Sequence, residues 1–152
     1  MNISEQVQII RQALLLREKN QYTQSSRRLL VDKGYSDCSS FVWWLYLYTL
    51  KMDIGMDTPE QILSLKGIDK DFGTAPVPDT SILSPGDLLF FKGSDPSRPF
   101  SVGHVEMYLG NHKIIGHIDN GHPGPTIKNL TDFCEMRYAT GRPYIKTRRF
   151  IF

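Results

Sequence analysis

The chain has 152 residues, enough for a domain with a real hydrophobic core. Hydrophobic residues make up 40% and charged residues 22%, a balance that excludes disordered and fibrous classes. A net charge of +2 is too mild to argue for nucleic acid, yet it is compatible with an anionic polymer.

The first residues, Met1 to Gln6, are polar and carry an acid, unlike a secretory leader. No apolar run approaches the roughly 20 residues needed to cross a bilayer, so stable membrane insertion is not expected. A protein made in the cytoplasm is the expectation. Ser4 to Lys19 reads as an amphipathic helix, with Ser4 as cap and Ile3, Val7, Ile10 and Leu14 at helical spacing. Asn20 to Asp37 reads as a polar loop with one apolar island, Leu29 to Val31.

That loop ends in Gly34-Tyr35-Ser36-Asp37-Cys38-Ser39-Ser40, and an apolar stretch without Gly or Pro follows from Phe41 to Leu50. Cys38 therefore falls at a helix start, with Asp37 or Ser36 as cap. A thiol there feels the positive end of the helix dipole, which is expected to lower its pKa and favour the attacking thiolate. The ordinary alternative is a buried structural thiol. The helix is apolar almost all round, so Trp43, Trp44, Tyr46 and Tyr48 read as core rather than as a sugar-stacking surface.

Further on, Thr58 caps a short helix with Pro59 at its first position, and Gly67 ends it. Lys66 to Ser84 reads as a connection rich in Gly, Pro and Asp. Leu88 to Phe91 is a strand, and another begins at His104 and runs to a turn at Gly110-Asn111. Lys113 to Ile118 is the returning strand. With a two-residue loop, His104 and His117 point to one face of this hairpin; an odd loop flips His117 away. The even loop is favoured, so that His104 takes the proton from Cys38 and His117 orients His104. By alternation Glu106 shares the His104 face, either lining a cleft against a cationic or amide group or pairing with Lys or Arg. Tyr138 to Thr140 and Tyr144 to Phe152 are strand-like, with Arg148-Arg149 on a solvated edge.

Cys134 reads as a half-buried structural thiol, and a Cys38–Cys134 disulfide, which would abolish nucleophilic activity, ranks low. His104, His112, His117 and His122 with Asp119 are the raw material for zinc, but no HExxH spacing is present and His112 falls in a loop. Helices first, then antiparallel strands, predict one α+β domain over residues 1–152, a small sheet packed on the Cys38 helix.

Three segments in order, Asp37 to Val42, Pro85 to Phe91 and Gly103 to Gly110, resemble the NlpC-type cell-wall hydrolases, papain-like cysteine peptidases and amidases of peptidoglycan. The Gly-His-Val-Glu-Met-Tyr variant resembles phage-lysin versions. The resemblance implies Cys38 as nucleophile, His104 as base, His117 as the third polar residue and Tyr22 beside the nucleophile. Asp37 and Ser39 flank the nucleophile as in the family, and the Cys38 N–H contributes to an oxyanion hole. It implies no cofactor and peptidoglycan stem peptides as substrate; with no leader read at the start, delivery to the wall is expected to need a holin, a secretion machine or lysis. The D-glutamyl–diamino acid bond is favoured over the muramoyl–L-alanine bond.

Two departures stand out. A basic, polar loop, Ser25 to Lys33, replaces the Trp-Gly-Gly segment common in relatives. Many relatives also have a small residue where Glu106 stands, and in relatives with one residue less between base and third residue the orienting side chain would fall on Gly116.

Overall fold

The computed structural model describes residues 2–152. Helix α1 (Ile3–Leu15) is capped by Asn2, whose side chain accepts from the Glu5 N–H at 3.1 Å. Its buried face is Gln6, Ile9 and Ala13, while Ile3, Val7 and Leu14 are exposed. The predicted stripe therefore lies one position off. The helix presents Ile9 and Ala13 to α2 and anchors through Gln6 Nε2, which donates to the Pro85 carbonyl at 3.0 Å.

Strands β1 (Gln21–Tyr22) and β2 (Tyr35–Ser36) form a short parallel pair, placing Tyr22 opposite Ser36. Buried Asn20 stitches this loop together: its amide donates to the Val31 and Tyr35 carbonyls and to Ser36 Oγ. Helix α2 (Cys38–Leu50) then begins at Cys38. Asp37 is the cap, accepting from the Ser40 N–H at 2.8 Å while Ser40 Oγ accepts from the Asp37 N–H at 2.9 Å. Phe41, Val42, Leu45 and Tyr46 fill the core, but the far side is not buried: Tyr48 is exposed and stacks on half-buried Trp44. Helix α3 (Thr58–Leu63) is capped by Asp57, not Thr58.

Six antiparallel strands follow: β3 (Ile68–Phe72), β4 (Leu88–Lys92), β5 (Val102–Gly110), β6 (Lys113–Gly116), β7 (Thr126–Asn129) and β8 (Tyr144–Arg149), in the order β3-β8-β4-β5-β6-β7. Helix α4 (Leu130–Ala139) joins β7 to β8 and takes in Tyr138, where the sequence suggests a strand. Edge strand β3 falls in the predicted connection; its Ile-Asp-Lys-Asp-Phe is largely exposed and lacks the apolar alternation that marks a strand.

Alternation in the strands splits the core in two. Leu88, Phe90, Val105, Met107 and Ile115 pack with Cys38 and the α2 residues, and Leu89, Phe91, Tyr108 and Ile114 pack with Leu130, Phe133 and Cys134 of α4. The two cysteines thus belong to separate clusters and both are free thiols, with Cys134 wholly rather than half buried. Arg148 and Arg149 are not a solvated edge either. Arg149 makes a two-pronged contact with buried Asp87 at 2.8 Å on each prong, and Arg148 reaches Asp69 and the carbonyls of Gln61, Ser64 and Gly67. No helix among the described residues is long and apolar enough to cross a membrane.

Candidate active site

The start of α2 lies against the start of β5, where the Val105 N–H reaches the Cys38 thiol, and β5 opens there on a cleft of about 480 Å³ lined by Tyr22, Gln24, Gly103, His104 and Asp119 and by Arg98, Arg137 and Arg142. Cys38 is 7% exposed, and its thiol is within electrostatic reach of Tyr22 and Arg137. The Asp37 carboxylate is spent on structure. It caps the helix, accepts from the Ser39 hydroxyl at 3.3 Å and pairs with Arg28 at 3.3 Å. Arg28 also donates to the Met56 carbonyl at 2.8 Å, so the basic loop braces the helix start. Asp37 and Ser39 are both buried and serve the cap rather than the cleft.

Expectation and structure part on the thiol. Burial pushes the Cys38 thiol up to about 12, helped by the Asp37 carboxylate, against the backbone N–H groups of Val105 and Ser39 that pull it down. The helix N-terminus does not outweigh that burial. Burial also holds His104 below the ordinary imidazole range, with Arg137 and Lys128 adding to the effect and Glu106 opposing it. Both directions favour the neutral thiol and the neutral imidazole.

His104 stands near the start of β5, opposite Phe91, with its ring against Phe91 and Phe133. Gly103 before it lies on Gly93; a Cβ built on Gly103 would meet the Gly93 Cα at 2.5 Å. His104 Nε2 is 2.5 Å from Glu106 Oε2. The Glu106 carboxylate is wholly buried, so it does not line the cleft. Its other oxygen accepts from Lys128 Nζ at 2.9 Å, and that ammonium also donates to the Gly116 and Thr126 carbonyls. Burial works to raise the Glu106 pKa, but Lys128 and His104 outweigh it and keep the group ionised. With a carboxylate accepting at Nε2, the ring carries its proton there and leaves Nδ1 as the acceptor. Sequence reasoning missed Lys128 and Arg137: each is a single cation in a short element, with no motif to mark it.

His117 is not beside His104. The two-residue loop Asn111-His112 is present, and both residues take positive φ. However, a bulge between Tyr108 and Gly110 adds one residue to β5, and Met107 pairs with Ile115. Continuing that register sets His117 opposite Val105, on the α2 face. There its Nδ1 shares a 2.6 Å hydrogen bond with Ser36 Oγ, and its ring meets the edge of Tyr22 at 5.1 Å. Its Nε2 is buried with no hydrogen-bond partner among the described residues. Tyr22 does lie in the cleft by the thiol, its hydroxyl accepting from Gln24 at 3.2 Å. His112 and His122 are exposed.

A helix that opens on a cysteine and packs on an antiparallel sheet with a histidine at the strand mouth defines a papain-like architecture. The NlpC/P60 family model matches residues 20–131, and the chain belongs to the NlpC/P60 family. Among solved structures it is similar to the NlpC/p60 domain of the peptidoglycan hydrolase SagA, at 23% identity and a TM-score of 0.63, covering 93% of this chain and 97% of that one. It is also similar to NlpC2 from Trichomonas vaginalis (19% identity, TM-score 0.68), covering 96% of this chain and 47% of that one. The peptidoglycan hydrolase RipB from Mycobacterium tuberculosis is similar at 16% identity and a TM-score of 0.62, with 99% of this chain and 66% of that one covered. The chain thus spans nearly all of the SagA domain but less than half of NlpC2. No curated protein matches it.

Proposed function

We infer that this chain hydrolyses an amide bond in peptidoglycan stem peptides by a thiol mechanism. The observation that carries the reading is Cys38 as the first residue of a capped helix, set against the Val105 N–H of the strand that presents His104 to the cleft. Substrate binding brings a carbonyl carbon to Cys38 Sγ. The thiol proton passes to His104 Nδ1 as the S–C bond forms, and the N–H groups at the α2 start face the developing oxyanion. The imidazolium then gives its proton to the departing amine. Water, deprotonated by His104, cleaves the thioester and returns the thiol. No step calls for a cofactor.

Arg98, Arg137 and Arg142 against Asp95 and Asp119 make a cleft of mixed charge, suited to a stem peptide bearing both carboxylates and amines. The D-glutamyl–diamino acid bond is the favoured target, and the muramoyl–L-alanine bond the second. The place of action is the wall after release or delivery, as a phage lysin or an antibacterial toxin. Digestion of purified peptidoglycan with the native chain and with Cys38→Ala, read by mass spectrometry, tests this. New termini that require Cys38 support the hydrolase and name the bond. Products that persist in Cys38→Ala refute the thiol mechanism, and no products from several wall chemotypes favour a wall-peptide-binding module.

A further inference from the structure

The base of this site is held by a group on its own strand. Glu106 lies two residues beyond His104 on β5, and its carboxylate reaches back to Nε2. The β5–β6 register sets Glu106 beside Gly116. A Cβ built on Gly116 would lie 2.2 Å from Glu106 Oε2 and 2.4 Å from its Cδ. The carboxylate therefore fills the space that a side chain from position 116 would enter. Lys128 closes the other side, bridging Glu106 Oε1 to the Gly116 carbonyl with 2.9 Å bonds to each. His117, the nearest other ring on β6's continuation, is tied to Ser36 instead.

We propose that Glu106 is the positioning residue of the His104 base, a role carried across from β6 to β5 by the paired presence of Glu106 and Gly116, with Lys128 holding the carboxylate in place. This rests on the thiol reading of the site. The carboxylate fixes the ring so that Nδ1 meets the thiol. It also balances the positive charge that the ring gains when it takes the Cys38 proton. The charged groups facing the ring are Glu106 from β5, Lys128 from β7 and Arg137 from α4. Glu106 is the one anion among them, so it favours the imidazolium and the two cations oppose it.

The test uses the full chain, soluble muropeptides and the rate of iodoacetamide labelling of Cys38 against pH. Glu106→Gln keeps the shape and removes the charge. It is expected to lower kcat roughly 10²-fold with little change in KM. It also moves the acid limb of kcat/KM to lower pH, because the imidazolium has lost its counter-charge. A structural role alone would leave that limb in place. Since this variant takes the counter-charge from the Lys128 ammonium, a second set guards against misfolding. Glu106→Gly and Gly116→His are each made alone and then together, with the melting temperature of each recorded. The double variant is expected to recover at least tenfold over Glu106→Gly. A folded Glu106→Gln with near-native kcat and an unmoved acid limb overturns the proposal. So does a folded double variant no better than Glu106→Gly. Full activity in Cys38→Ala is a different result, since it removes the thiol reading itself.

Discussion

Stability should fall in mild acid because of one histidine. His117 is 1% exposed, and burial holds its pKa at about 4 against an ordinary 6.5. The folded state therefore resists the proton more than the unfolded chain does. Its contribution is fully present above the unfolded value and is lost as pH falls from about 6.5 through about 4. A shift of that size corresponds to about 3 kcal/mol. In a chain of this length 1 kcal/mol moves the melting temperature by about 3 °C, so the acid limb should span up to about 9 °C from this group. His117→Asn keeps a polar partner for Ser36 Oγ and removes the titration. Thermal unfolding of both proteins between pH 4 and 8 is the assay. The variant should lose that share of the pH slope, and the same slope in both would refute the reasoning.

Asp37→Asn keeps an N-cap and removes the charge that helps raise the Cys38 pKa, so iodoacetamide labelling at a fixed pH near 8 should speed up; an unchanged rate counts against the electrostatic account. Arg149→Ala leaves the buried Asp87 carboxylate without its two-pronged partner and should cost about 3–5 kcal/mol, or about 10 °C of melting temperature by calorimetry. Gly124→Ala puts a Cβ 2.3 Å from the His117 ring, so it should destabilise the chain by about 1–3 kcal/mol in urea unfolding. Chelators should leave hydrolysis intact while alkylation of Cys38 abolishes it, with fragment release as the readout.

The sequence carried the helix start at Cys38 clearly, because a polar run breaking into an apolar one is a local signal, and Asp37 caps it as read. The strand bearing His104 was equally plain. Strand β3 was not, since an exposed edge needs no apolar alternation. The place of His117 was hidden by a single inserted residue at the β5 bulge, which no two-residue-loop rule can foresee. The thiol's raised pKa was hidden too, because the dipole at a helix start is local while desolvation depends on what the rest of the chain lays over it. Glu106 was readable as facing the same way as His104, but its complete burial came from Lys128 and the bare Gly116, both distant in sequence.

The contact of Gly93 with Gly103 has a consequence for how such a site can be altered. Each glycine's missing Cβ would strike the other's main chain, at 2.7 Å from Gly93 and 2.5 Å from Gly103. No rotamer change can relieve a collision with backbone. The separation of β4 from β5 at the mouth of the cleft is thus set by two hydrogen atoms, and the His104 Cα inherits its position from that spacing. Redesign of the cleft for another peptide has room on the rim, at Gln24, Arg98 or Arg142, but the glycine contact behind the base admits no larger residue at position 93 or 103.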